Sequence, residues 1–235
     1  MNQAPRVIQA WKARVSAWAR RLAELRQCLD EDELARAERR AATKREQFLV
    51  AHGLLRQVLG RESQRPPASL RFGHAPAGKP FLAGPAEAPE LEFSLSHSGD
   101  LVLIAVSLDL PLGVDVEQGS KQLDPLRLAQ RFFSPAEQAQ LVALPSDQQL
   151  DGFLACWTRK EAYLKATGAG VSGGLSHFDV TLAPDQPARL LVDRRVPGAA
   201  QQWRILDVPA EPGYRAALVV ASSGSELRCH ELEPG

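Results

Sequence analysis

The run Gly113-Val114-Asp115-Val116-Glu117 sets two carboxylates at alternate positions. In a strand, alternate side chains share a face, so Val114 and Val116 turn to a core while Asp115 and Glu117 stand together, roughly 7 Å apart. Like charges that close repel. A hard divalent cation such as magnesium relieves the repulsion through oxygen ligands; a solvated strand end is the alternative. A third carboxylate, Glu161, is the acidic member of the stripe Leu150, Leu154, Trp157, Glu161 and Leu164, whose steps of three and four describe one helical face. A carboxylate on a core-facing stripe is costly unless it is paired or metal-bound. The alternative is an edge position bridged to Lys160 or Lys165. Lys165 lies one turn beyond Glu161 on the same side, and Lys160 about 100° round the helix.

The segment Phe93-Ser-Leu-Ser-His-Ser-Gly99 reads as a strand feeding a turn crowded with hydroxyls, an imidazole and a glycine. Such turns offer N–H and O–H donors to an anion. Gly78-Lys79-Pro80-Phe81 places one cation just before a stretch, residues 80–120, that has no Lys or Arg but 7 Asp and Glu. Residues 1–60 are the converse, with 12 Lys and Arg against 7 Asp and Glu. A basic and an acidic region together could hold a phosphate-rich ligand and a cation; two solvated faces are the plainer reading.

The elements that must position these groups follow from pattern. Residues 7–15 alternate as a strand, with a helix the alternative over so short a run, and 18–28 look helical. Asp30 with Glu33 marks a helix start. Apolar residues from Phe48 to Leu59 recur at helical spacing, with Gly60 as the stop. Strands are expected at 70–72, 79–82, 92–96, 101–108 and 113–117. Helix starts follow at Asp124-Pro125 and Ser134-Pro135. A longer helix covers 148–166 and ends at Gly168. Strands near 178–183, 189–192, 202–208, 214–221 and 226–231 complete an α+β chain of two similar halves, which share no obvious sequence repeat.

In 235 residues, 28 basic side chains balance 28 acidic ones, against a protein that coats nucleic acid. The longest wholly apolar run, Leu101 to Val106, is far short of the roughly 20 residues that span a bilayer. No secretory signal is visible. Three widely spaced cysteines suggest neither a metal site nor a disulfide framework, so a cytoplasmic protein is expected.

Taken together, Gly78–Phe81, Phe93–Gly99, Gly113–Glu117, Arg131-Phe-Phe-Ser134 and Trp157-Thr-Arg-Lys-Glu-Ala-Tyr-Leu-Lys165 resemble, in this order and spacing, the 4′-phosphopantetheinyl transferase superfamily in its longer, Sfp-type branch. The resemblance covers about residues 31–180. It implies a pseudo-dimer of two α+β halves, 1–112 on the nucleotide side and 113–235 carrying the metal and catalytic residues, with the site in the cleft between them. The activity implied is transfer of the phosphopantetheine arm of coenzyme A to a serine of an apo acyl or peptidyl carrier protein, releasing adenosine 3′,5′-bisphosphate. It also implies a magnesium site at Asp115, Glu117 and Glu161, catalytic roles for Glu161, as general base, and Lys165, on phosphate, and coenzyme A contacts at Lys79, Ser96, His97, Lys160 and Lys165. For the 3′-phosphate, Arg36 with Lys44 or Arg45 are favoured among the N-terminal cations. A monomer without nucleic-acid or membrane partners is expected. A magnesium-dependent hydrolase of coenzyme A or nucleotide pyrophosphate is the rival reading.

Overall fold

Alternation decides the first strand. In β1 (Arg6–Arg14) Ile8 and Ala10 face one core while Trp11 and Ala13 face another. The computed structural model describes residues 6–84, 91–120, 122–170, 174–221 and 224–234. Two short helices, α1 (Val15–Trp18) and α2 (Leu22–Gln27), lead to α3 (Glu31–Glu38). A capping box starts α3, the Asp30 carboxylate accepting from Glu33 N–H and the Glu33 carboxylate from Asp30 N–H. Next comes α4 (Ala42–Ser63), which passes through Gly60 and stops at Gln64, whose φ of 54° is left-handed. Gly60 does not cap it. A Cβ there would lie 2.8 Å from Arg65 O, so this glycine lets the chain fold back against the helix.

β2 (Arg71–His74) and β3 (Pro80–Ala83) form a small hairpin, and β4 (Leu91–Ser98) turns into β5 (Leu101–Leu108) through Gly99 at φ 55°. β6 (Leu112–Gln118) opens the second half. Asp124 caps α5 (Pro125–Phe132), and a Ser134–Glu137 box caps α6 (Pro135–Ala143). α7 (Gln149–Thr167) ends at Gly168, φ 67°. β7 (Phe178–Val180), β8 (Leu190–Asp193), a short α8 (Ala199–Gln202) where the sequence suggests that a strand begins, β9 (Arg204–Asp207), β10 (Tyr214–Val220) and β11 (Ser225–Glu231) complete the order. No described helix is long and apolar enough to cross a membrane.

The strands form two main sheets, β11-β1-β5-β4 and β6-β10-β9. Their inner faces share one core: Ile8, Leu103 and Ala105 of the first sheet meet Val114, Val116 and Leu218 of the second. The outer face of the first sheet packs on α4, that of the second on α7. The order is therefore helix, sheet, sheet, helix, and the two halves repeat one another. β1, α4 and the β5-β4 pair correspond to β6, α7 and the β10-β9 pair.

A polar device hidden in each core repeats too. Glu33 is buried and accepts Arg56 Nε at 2.6 Å; Arg56, 0% exposed, also donates to the carbonyls of Pro67 and Leu70. Glu137 is buried and pairs with Lys160 Nζ at 2.8 Å; Lys160, 0% exposed, donates to the carbonyls of Leu175 and Phe178. In each half the glutamate is the third residue of a capped helix, and the cation follows it at the same spacing on the long helix. Each pair ties that long helix to the start of the next hairpin. Lys160, for which the resemblance implied a coenzyme A contact, is instead buried, its ammonium taken up by Glu137 and two backbone carbonyls in the core.

One strand crosses between halves. A division at residue 112 groups β11 with the second half, yet β11 pairs in parallel with β1, from Arg6 opposite Ser225 to Lys12 opposite Glu231. Leu232 N–H donates to Lys12 O, and Trp18 Nε1 donates to Leu232 O.

Removing one partner of a buried, hydrogen-bonded ion pair costs about 3–5 kcal/mol because the other charge stays behind. Lys160→Met is expected to lower the unfolding free energy by that order in urea titrations, and Glu137→Leu combined with Lys160→Met to restore much of it. A single variant as stable as the parent would overturn this account of the pair.

Candidate active site

Helix α7 lies against β6 with almost nothing between them. A Cβ on Gly113 would overlap the carbonyl oxygen of Ala162 and the amide nitrogen of Ala166. Glycine is what permits that approach. The next two residues on the same face, Asp115 and Glu117, then meet the helix turn that carries Glu161 and Lys165. Asp115 is 4% exposed. Lys165 Nζ donates to Asp115 Oδ1 at 2.7 Å, and to Val114 O and Ser96 Oγ at 3.0 Å each. Glu161 is half-buried and shows no ion pair with Lys160. Trp157, on the same stripe, packs with Phe132 and Phe153 in the second core.

On its other side β6 runs beside β4, and serine hydroxyls bridge the two strands. Ser94 Oγ accepts Val114 N–H at 3.0 Å. Ser96 Oγ donates to Asp115 Oδ1 at 2.8 Å. Ser98 Oγ donates to Glu117 Oε2 at 2.7 Å and accepts Gln118 N–H at 3.1 Å. The resemblance implied a coenzyme A contact for Ser96; here its hydroxyl holds Asp115 and receives Lys165.

Burial and the neighbouring Asp115 raise the Glu117 pKa, opposed by the Ser98 hydrogen bond. Burial, Asp115 and Glu117 raise that of Glu161, opposed by Lys165. Neighbouring carboxylates thus disfavour the charged forms of Glu117 and Glu161, and one ammonium among three carboxylates leaves the cluster acidic. Among the described residues no three acidic, histidine or cysteine side chains stand in a finished ligand array. Asp115 Oδ2, however, is buried without a hydrogen-bond partner. An orphaned carboxylate oxygen beside two further carboxylates suits a hard cation with oxygen ligands.

Next to these groups is a cavity of about 380 Å³, walled by Leu55, Phe72, Phe93 and Leu164, with Lys79, Arg36, Glu161 and Lys165 among its polar lining. Lys79 is held by Glu92 at 2.9 Å and by Ala166 O at 3.3 Å, so it ties the first half to the end of α7. Arg36 lies over the Phe48 ring, and its Nε is buried with no hydrogen-bond partner, a donor suited to an anion. His97 is half-buried, and its pKa falls to about 4, first through burial and then through the charges of His52, Lys165, Lys44 and Arg40. These neighbours place Lys44, and also Arg40 and His52, in the electrostatic field around His97. Arg45 faces elsewhere: it pairs with Glu38 and donates to the carbonyls of Glu38 and Arg40 at the end of α3. The sequence does not point to His52, which sits on α4 amid apolar spacing, and it places Ser98 in a donor-rich turn for an anion, whereas its hydroxyl donates to the Glu117 carboxylate.

The model of the 4′-phosphopantetheinyl transferase superfamily matches residues 111–219, and a model for the N-terminal part of 4′-phosphopantetheinyl transferases matches residues 9–109. The 4′-phosphopantetheinyl transferase HetI of a Nostoc species is 35% identical over 218 residues, covering 92% of this chain and 89% of its own. The 4′-phosphopantetheinyl transferase psf-1 of Bacillus pumilus is 35% identical over 189 residues, covering 77% and 76%. The 4′-phosphopantetheinyl transferase Sfp of Bacillus subtilis is 32% identical over 173 residues, covering 74% and 73%. The chain belongs to the 4′-phosphopantetheinyl transferase superfamily. It is a transferase, as its motifs implied.

Two outcomes are expected of the site. Gly113→Ala should push α7 from β6, lowering the thermal midpoint and transfer activity together; a variant that keeps both would show the contact to be slack. His97 takes a proton less readily folded than unfolded, so it adds stability above the unfolded pKa of about 6.5 that is lost as pH falls toward 4. In His97→Gln the fall in stability between pH 6.5 and 4 should be shallower, measured by urea titration at each pH. An unchanged slope would contradict the shift.

Proposed function

We propose that this transferase moves the 4′-phosphopantetheine arm of coenzyme A onto a serine of an apo acyl or peptidyl carrier protein. The observation that carries the reading is the meeting of Asp115, Glu117, Glu161 and Lys165 on one face between β6 and α7, beside a cation-lined cavity. The serine oxygen forms a bond to the phosphorus that bears pantetheine. The bond from that phosphorus to the bridging oxygen breaks, and adenosine 3′,5′-bisphosphate leaves. Glu161, whose raised pKa makes it the stronger base, takes the serine proton directly or through a water. Lys165, a mobile point charge, exchanges its contact with Asp115 for the phosphate oxygens on which charge grows. Asp115, Glu117 and Glu161 would hold magnesium, which when bound neutralises charge on the pyrophosphate.

The cavity would take the nucleotide end of coenzyme A. Arg36, Lys44, Arg40 and His97 supply charge and donors for its 3′-phosphate, and Lys79 fixes the wall. One chain supplies every group, so a monomer suffices. A cytoplasmic setting fits the three free thiols.

The test incubates the protein with coenzyme A, magnesium and a panel of purified apo carriers, read by mass. A gain of one phosphopantetheine on some carriers is expected. Release of adenosine bisphosphate without any carrier would favour the hydrolase instead. Asp115→Ala should abolish transfer in a folded protein. Lys165→Ala should lower turnover by about 10²–10³-fold, the effect of losing one preorganised electrostatic donor, with little change in magnesium dependence. Glu161→Gln should shift that dependence. Normal turnover in Lys165→Ala would reduce the lysine to a structural partner of Asp115.

A further inference from the structure

The Ser98 hydroxyl is placed with unusual care for a residue at a hairpin turn. The turn after it requires glycine: at Gly99 φ is 55°, and a Cβ would collide with the Gln118 side chain and 2.5 Å from the Tyr214 hydroxyl. Each neighbouring polar group of the turn is held by a different element. Gln47 of α4 donates to Gly99 O. Asp100 N–H donates to Tyr214 Oη of β10 at 3.0 Å. The Asp100 carboxylate accepts Ser16 N–H at 2.8 Å and Ser16 Oγ at 2.7 Å, at the start of α1. Both halves of the molecule thus fix the turn that follows Ser98, and the Ser98 hydroxyl, which accepts Gln118 N–H, donates to Glu117 at 2.7 Å. Glu117 has no other hydrogen-bond donor among the described residues.

We propose that Ser98 is a positioning residue: it holds the Glu117 carboxylate turned toward Asp115 and so sets the affinity of the carboxylate cluster for a divalent cation. The inference rests on the transferase reading above. A half-buried carboxylate near a strand end, free to turn, would lose rotamer freedom on ligation. A hydroxyl already bonded to one of its oxygens removes that freedom beforehand and leaves the other oxygen to the cation. Ser96 does the same for Asp115, but it also receives Lys165, so Ser98 is the cleaner member of the pair to test.

The experiment measures manganese binding by electron paramagnetic resonance, in the presence of coenzyme A, for the full chain and for Ser98→Ala and Ser98→Thr. Ser98→Ala should bind manganese at least tenfold more weakly while the KM for coenzyme A at saturating metal stays within twofold. Ser98→Thr, which keeps the hydroxyl, should restore binding. The same serine change made in a Glu117→Gln background should have no further effect on manganese, whereas a role confined to the Gln118 N–H bond would persist there. Equal manganese affinity in parent and Ser98→Ala overturns the proposal. So does a loss that persists undiminished in the Glu117→Gln background. If Ser98→Ala does not fold, Ser98→Thr and Ser98→Cys, compared in the two backgrounds, decide by the same criterion. A parent protein that binds no manganese, or transfers nothing to any carrier, counts against the transferase reading itself and is seen before any variant is made.

Discussion

The active face depends on a missing methyl group. Because Gly113 has no side chain, the backbone of α7 rests directly on β6. Had the helix stood at an ordinary helix-on-sheet distance, Lys165 could not reach Asp115, Val114 O and Ser96 at once. The carboxylates of Asp115 and Glu117 would then face a gap wide enough for bulk water, and their mutual repulsion would be screened rather than concentrated. The raised pKa values of Glu117 and Glu161 express the same closeness. Geometry and electrostatics here have one origin.

Near-symmetry makes the difference between the two halves informative. Where Asp115 stands in β6, β1 has Trp11; where Lys165 follows Lys160 on α7, Arg61 follows Arg56 on α4 at the same interval. Lys165 makes an ion pair with Asp115, and Arg61 lies 5.3 Å over the ring of Trp11. One seam is polar, bridged by the serines of β4, and opens on a cavity. The other is filled by an indole, with His230 stacked on it, and is covered by β11. A single chain has thus kept one reactive surface from a repeated plan and used the matching place for cohesion.

The sequence disclosed those features that depend on local chemistry. Alternation in Gly113–Glu117, the helical stripe through Glu161, the caps at Asp30, Asp124 and Ser134 and the turn at Gly99 are each read over a few residues, and each is present. What escaped depends on distant partners. Lys160 is one residue from Glu161 in the chain but about 100° round the helix, and Glu137 with two backbone carbonyls explains why a lysine can be buried there. Arg45 belongs to a basic run whose members go to different places, one to the end of α3 and another to the cavity. The element order showed two similar halves, but no sequence repeat marked them, because what recurs is a pairing of charges, Glu with Arg in one half and Glu with Lys in the other, rather than identical residues. The end of α4 was misplaced because Gly60 serves packing instead of termination.

The parallel pairing of β11 with β1 has a temporal side. A ribosome delivers the chain from its first residue, but the edge of β1 gains its last partner only after residue 231 has emerged. Until then the first sheet offers an unpaired row of amides and carbonyls, the kind of edge that recruits strands from other chains. The two halves cannot mature one after the other as independent domains do. Joining residues so far apart in sequence is also among the slowest contacts to form, since the loop between them must be closed before the pairing is rewarded. Nascent chains are therefore exposed to wrong partners throughout the interval after β1, β5 and β4 have emerged and before β11 follows, while the first sheet is still one strand short.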